Sequence, residues 1–245
     1  IPTYSNLQFI LVINPASGPG LAGSQPDVNY QACVTQLRDA GMDHGNVKMI
    51  GYVRTGFGGL PLNNITTDID TYAGWSATAQ AGVDYHVEGI FFDEAVTNSG
   101  PDAYVRLFIR KILTFVLRKT NDNDTFCSIA MLQITLNPGT WDDGTSSSDV
   151  FTFADMIVTF EKTFNDFQAS VFPSGASTPR NKQTAIIHTG PESAPMDMVM
   201  TITQTLGLGA SFYSDLPNTK AYNQFPTSWP GYLDELVSAQ ASTKN

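Results

Sequence analysis

Seven short runs rich in Ile, Val, Leu and Phe alternate with segments of helical length, and this rhythm constrains the chain more than any other feature. The runs are Leu7–Asn14, Lys48–Arg54, Val87–Asp93, Ile129–Leu136, Asp155–Glu161, Thr184–His188 and Ala210–Tyr213. Between or after them lie Tyr30–Ala40, Thr67–Gln80, Ala103–Lys119, Lys162–Val171, Met196–Leu206 and Trp229–Gln240, which the spacing predicts to be helical. Nearly continuous apolar runs are how strands covered on both faces read. Repeated βα units then imply a parallel sheet with right-handed crossovers. No Pro- or Ser-rich linker, charge block or change of composition divides the sequence, so residues 1–245 are expected to form one domain. Seven units fall one short of a (β/α)8 TIM-type barrel, a fold of about 250 residues. The barrel, with its first strand missing from the N-terminus of this chain, is preferred to an open doubly wound sheet, because no strand run leads into a convincing phosphate loop.

The nearest approach to such a loop is Gly18-Pro19-Gly20-Leu21-Ala22-Gly23, which fits the spacing of a dinucleotide-binding turn after the first strand. That turn needs backbone N–H groups aimed at a pyrophosphate and a helix opening within the motif. Pro19 removes one donor, and Pro26 and Asp27 push the helix start beyond the glycines. A tight βα loop is the expectation.

Charge narrows the partners. The chain carries 13 Lys and Arg against 23 Asp and Glu, a formal charge of −10, and charged residues are only 15% of the total. Nucleic-acid affinity rests on Lys and Arg, so no nucleic-acid partner is expected. No apolar run approaches the roughly 20 residues of a membrane span. The opening Ile1-Pro2 has no charged start or apolar core of a signal peptide, which suggests a trimmed N-terminus. Cys33 and Cys127 allow one disulfide or two buried thiols, and Asn64-Ile65-Thr66 and Asn123-Asp124-Thr125 are possible glycan acceptors. Few charges and many neutral polar residues lean towards a secreted or cell-surface protein, read here as a monomer.

In a parallel barrel the reactive groups stand at the C-terminal ends of strands. Here those ends are Asn14, Arg54-Thr55, Asp93-Glu94, Asn137, Glu161, His188-Thr189 and Tyr213 with Asp215. Gly89-Ile90-Phe91-Phe92-Asp93-Glu94 is the sharpest of them: two adjacent carboxylates close a run fit only for a core. Alternation puts Asp93 on the face of Gly89 and Phe91, while Glu94 lies where the chain leaves the ladder. Glu161 closes Met156-Ile157-Val158-Thr159-Phe160 in the same way. Paired carboxylates suit glycosidic bond cleavage, in which one protonates the leaving oxygen and another acts as nucleophile or base. The residues alone are equally consistent with Asp93 capping a helix and Glu161 pairing with a nearby Arg or Lys.

Other chemistries find less support. His44, His86 and His188 are far apart and form no zinc-ligand pair, so no metal site is expected, and no cofactor. No nucleophile elbow is present, and Cys33 falls inside a predicted helix. A sugar would need stacking platforms, for which Tyr52, Tyr213, Trp141 and Trp229 are candidates, and hydrogen-bonding groups such as Asn14, Arg54 and Asn137, with His188 at a strand end. Trp75 reads as packing.

Taken in order, Ile13-Asn14-Pro15-Ala16-Ser17-Gly18-Pro19-Gly20, Gly51-Tyr52-Val53-Arg54-Thr55, Asp68-Ile69-Asp70-Thr71-Tyr72, Gly89 to Glu94, Leu136-Asn137-Pro138-Gly139-Thr140 and Ile157-Val158-Thr159-Phe160-Glu161 resemble the spherulin-4 family. It is also called spherulation-specific family 4 and is grouped with glycoside hydrolase family 135. The resemblance implies a secreted or cell-surface (β/α)8 protein. It also implies an endo-acting hydrolase of galactosaminogalactan, cutting within N-acetylgalactosamine-rich stretches of this wall and biofilm polysaccharide. The family's adjacent catalytic Asp-Glu pair falls on Asp93 and Glu94, and its later Glu is placed on Glu161. The competing reading is a non-catalytic carbohydrate-binding or structural protein of the cell wall or spore coat. An intracellular sugar or nucleotide enzyme is disfavoured by the sequons and the low Lys content.

Overall fold

The computed structural model describes residues 2–42, 45–75, 84–98, 133–142 and 145–242. Its contacts divide the chain into two compact units, Ile1–Leu136 and Asn137–Asn245.

In the first unit β1 (Phe9–Ile13), α1 (Val28–Met42), β2 (Val47–Arg54), α2 (Leu62–Gly74), β3 (Gly89–Asp93) and β4 (Gln133–Asn137) come in order, the last residue of β4 opening the second unit. β1 pairs with β2 in parallel, Ile13 beside Gly51, and β2 pairs with β3 in parallel, Arg54 beside Asp93. Gln133 at the start of β4 donates its N–H to the Glu88 carbonyl at 2.9 Å. Ile50, Val53, Ile65, Tyr72, Trp75 and Phe92 are all but sealed from solvent. Trp75 is packing, as its sequence context suggests: it stacks edge-on against Tyr72 at 4.7 Å, and its indole N–H donates to the Ser24 carbonyl at 3.0 Å.

The glycine-rich segment after β1 is a folded loop, and α1 begins only at Val28. Two of its N–H groups are spent inside the protein, Gly18 on Asn14 Oδ1 at 3.0 Å and Gly23 on Thr71 Oγ1 at 2.9 Å. Cys33 lies exposed on α1, while Cys127 and Asn123 fall outside the described residues, as do His44 and the predicted helix Ala103–Lys119. Asn64 is exposed in the first turn of α2.

In the second unit β5 (Met156–Thr163), β6 (Gln183–His188) and β7 (Ala210–Tyr213) are parallel neighbours in that order. A short helix α3 (Met196–Met200) runs into a π-helical turn, Thr201–Leu206; α4 (Asn218–Ala221) and α5 (Trp229–Ser242) lie beyond β7. Phe160, Ile187, Val199, Ile202, Tyr213 and Tyr232 form the centre of its core.

The predicted helix Lys162–Val171 is a correction. β5 runs on to Thr163, and two single 3-10 turns, Phe164–Asp166 and Ala169–Val171, take the place of the helix. The ladder between β5 and β6 also slips by one residue between Val158 and Phe160. This bulge at Thr159 inserts an extra residue and alters which face the subsequent side chains take. The Thr159 hydroxyl is held by Gln183 Oε1 at 3.3 Å, and the Gln183 amide donates in turn to the carbonyls of Pro173 and Thr178.

The α/β class read from the sequence holds. Among the described helices none is long and apolar enough to cross a membrane.

Candidate functional site

The first cluster grows from the β2–β3 register. Tyr52 lies beside Phe91 and Arg54 beside Asp93, so strand alternation sets these four on one face while Val53 and Phe92 point the other way into the core. Tyr52 stacks on Phe91 at 6.2 Å, and its phenol donates to Asp93 Oδ2 at 2.6 Å. Burial first, and the Asp93 bond second, push the Tyr52 phenol well above its ordinary range, so it remains a proton donor to that carboxylate.

Glu94 is the first residue beyond β3, and its backbone is left-handed, with φ of 51°. For a residue with a Cβ that conformation costs roughly 1–2 kcal/mol and persists only where the surroundings fix it. The loop after β2 supplies the fixing. Phe57 donates its N–H to the Glu94 carbonyl at 2.7 Å, and the Thr55 hydroxyl lies 2.6 Å from that carbonyl and 3.0 Å from the one of Asp93. Thr55 also donates its own N–H to the Asp93 carbonyl at 2.9 Å. The carboxylate so aimed accepts from Arg54 Nε at 2.8 Å. With the Arg54 side chain half exposed, this pair orients two groups and adds little stability.

The second cluster surrounds Glu161, which lies just past the bulge in β5. Asn137, buried at the end of β4, donates its amide to Glu161 Oε2 at 2.8 Å, and its Oδ1 accepts the Gly139 N–H at 2.9 Å. The Tyr222 phenol donates to Glu161 Oε1 at 2.5 Å. Both oxygens are thus met by neutral donors, and among the described residues no Arg or Lys pairs with Glu161 as a structural ion pair would require. The salt-bridge reading applies instead to Glu94.

The remaining sequence candidates are placed differently. Asn14 spends its side-chain oxygen on the Gly18 N–H and its carbonyl on the Tyr30 phenol, organising the loop after β1. Tyr213 is a core residue with no exposed face; its phenol donates to the Pro191 carbonyl at 2.7 Å and is pushed up to about 12 by burial. A Cβ on Gly190 would meet that phenol oxygen, so the close approach requires glycine there. Trp141 is buried against Phe151, whereas Trp229 is half-buried in an aromatic cluster. Among the described residues no group of three or more His, Cys, Asp or Glu is disposed to hold a metal ion.

His188 ends β6 beside Thr163, nearly buried, with its Nδ1 2.9 Å from the Thr189 hydroxyl. Burial lowers its pKa below the ordinary value of 6.5, against the opposing pull of Glu161 and Asp166. The unfolded chain therefore takes up the proton first on acidification. The stability this contributes is complete above about pH 6.5 and is lost as pH falls through the lower folded value. His188→Gln should flatten the fall in melting temperature between pH 7 and pH 5; an unchanged slope would show that His188 carries none of it.

Sequence reasoning placed Thr55 at a strand end beside Arg54 without giving it a role, and it missed Tyr222. Tyr222 is 61 positions from Glu161, and no periodicity connects them.

Comparison with known proteins points to the same family. The family model for spherulation-specific family 4 matches residues 1–236. Spherulin-4 of Physarum polycephalum is 26% identical over 215 residues, covering 86% of this chain. The matched region is 56% of that relative's length, so the chain spans little more than half of it. The crystal structure of Aspergillus clavatus Sph3 in complex with GalNAc superposes with a TM-score of 0.75 at 27% identity, covering 96% of this chain and 87% of that one.

Proposed function

The chain belongs to spherulation-specific family 4, and from that premise we propose that it is a secreted, endo-acting glycoside hydrolase cutting an N-acetylgalactosamine-containing polysaccharide. The observation that carries the reading is the Asp93–Glu94 pair. Two adjacent carboxylates leave one strand end, the second on a left-handed backbone held by Thr55 and Phe57, each with its own partner in Tyr52 or Arg54. Strain fixed from several sides recurs where a side chain must be presented for chemistry. The similarity to Sph3, solved with GalNAc, supports a hexosamine as the sugar.

Asp93, Glu94 and Glu161 are the proposed catalytic acids. Cleavage needs one carboxylic acid to protonate the leaving oxygen and a carboxylate to attack the anomeric carbon or activate water. Tyr52 and Arg54 orient Asp93 and Glu94, Asn137 and Tyr222 orient Glu161, and Asn14, His188 and Tyr213 act as supporting residues. The (β/α)8 barrel architecture belongs to the same proposal.

The test is hydrolysis of purified galactosaminogalactan with mass spectrometry of the released material. Oligosaccharides containing N-acetylgalactosamine are expected. Intact polymer after incubation with folded protein would sink the enzyme reading, and retained binding in that case would favour the wall-binding alternative.

A further inference from the structure

Beyond β7 the chain exposes aromatic surface that the core does not need. Phe225 is 77% exposed and Tyr222 is 55% exposed. Neither is a stray ring. Phe212 of β7 lies 6.4 Å from Tyr222, nearly parallel to it, and 5.5 Å from Trp229; Trp229 meets Phe225 edge-on at 6.3 Å and Tyr232 at 6.1 Å. The cluster therefore roots in the fully buried Tyr232 and surfaces at Tyr222 and Phe225.

The loop that carries them is organised in advance. Ala221 and Pro226 are buried at its two ends, and the Asn223 and Gln224 N–H groups both donate to the Lys220 carbonyl at 3.1 Å. A phenyl ring left in water on a fixed loop forgoes most of the benefit of burying it. Exposed rings linked through one aromatic cluster on an ordered loop, unlike singly scattered apolar residues, mark an interaction site. Its location names the occupant: the Tyr222 phenol is bonded to Glu161, so anything resting on the Tyr222 ring lies next to that carboxylate.

We propose that Tyr222 and Phe225 form the stacking surface of a sugar subsite beside Glu161, taking the apolar face of a galacto-configured hexosamine. This rests on the glycosidase reading. In a galactopyranose the axial O4 leaves the hydrogens of C3, C4 and C5 on the opposite face, a flat apolar patch that matches an aromatic ring. Rigid rings bind such a patch at low entropic cost.

Binding is read by calorimetry in a Glu94→Gln background, with N-acetylgalactosamine oligosaccharides as the probe. Adding Phe225→Ala should weaken binding roughly three- to tenfold, the effect of one aromatic contact, while Phe225→Trp restores it. Tyr222→Ala should weaken it similarly. Tyr222→Phe keeps the ring and should leave affinity within about twofold; with Glu94 intact it should lower kcat, because Glu161 loses a donor. Equal affinity in Phe225→Ala, Tyr222→Ala and their parent would overturn the subsite and leave the enzyme reading standing. A parent that binds no oligosaccharide would overturn both. Equal affinity for chito-oligosaccharides, whose O4 is equatorial, would overturn the galacto assignment. Concentration-dependent self-association lost in Phe225→Ala, with sugar binding unchanged, would reassign the patch to a protein contact.

Discussion

Glu94→Gln is expected to lower kcat on the galactosamine polymer by about 10³-fold or more, with the melting temperature within about 2 °C of wild type. The substitution keeps the shape of the side chain and removes only its charge and its capacity to take or give a proton. Its ion-pair partner, Arg54, is half exposed, so solvent screens the pair and its loss costs little stability. The backbone strain at Glu94 supplies a second signature. Glu94→Ala keeps the left-handed penalty and Glu94→Gly removes it, so the glycine variant should be at least as stable as the alanine one, although glycine is entropically the worse residue elsewhere. Both should be inactive. That pairing separates a residue held in strain for chemistry from one held for the fold. Glu94→Gln that unfolds, or that keeps a tenth of wild-type activity, would refute the role.

Much of this architecture was readable because parallel strands announce themselves. Lys48–Arg54, Thr184–His188 and Ala210–Tyr213 fall within a residue of β2, β6 and β7, since each is a dense apolar run ending in a polar residue. The failure at Lys162–Val171 has an equally physical cause. Phe160, Phe164, Phe167 and Val171 repeat with helical spacing, yet the rings meet without a helix. Phe160 in β5 lies 5.7 Å from Phe167 and 5.6 Å from Phe172, brought there by the bulge and the 3-10 turns. A periodicity argument sees which residues are apolar and cannot see a slipped ladder.

The candidate site divides along the same line. Asp93 and Glu94 were legible as strand-end acids, and strand alternation already set Asp93 on the face of Phe91. The left-handed turn at Glu94 was not, because it depends on hydrogen bonds from Thr55 and Phe57, some 40 positions earlier. Tyr222 was invisible for the same reason. The motifs that carry the family resemblance also turn out to mix two kinds of residue. Asp93 and Glu94 belong to the chemistry proposed above, whereas Gly51, Thr71 and Tyr72 are joints of the first unit, Thr71 holding the loop after β1 through the Gly23 N–H.

Gly51→Ala tests the structural kind, and it should cost about 3–5 kcal/mol. Gly51 lies in β2 between Ile13 of β1 and Ile90 of β3, and a Cβ there would stand 2.7–2.8 Å from three atoms of the Tyr72 ring. The ring has nowhere to retreat. It is sealed from solvent, stacked edge-on against Trp75, and its phenol donates to the Ile13 carbonyl at 2.7 Å while accepting the Tyr52 N–H at 3.2 Å. Relieving the clash by moving Tyr72 would leave the buried Ile13 carbonyl and the Tyr52 N–H without that partner. Keeping Tyr72 in place would force β2 away from its neighbours. At about 2–4 °C per kcal/mol for a chain of this length, the melting temperature should fall by roughly 6–20 °C. Activity should fall along with the fold, because Tyr52, which bonds Asp93, is the next residue. A smaller side chain at 72 makes the cause separable: Gly51→Ala should be far less damaging in a Tyr72→Leu background, a coupling that a general intolerance of alanine in β2 would not produce. Additive losses in the double variant would mean that the Gly51–Tyr72 contact is not what requires glycine at this position.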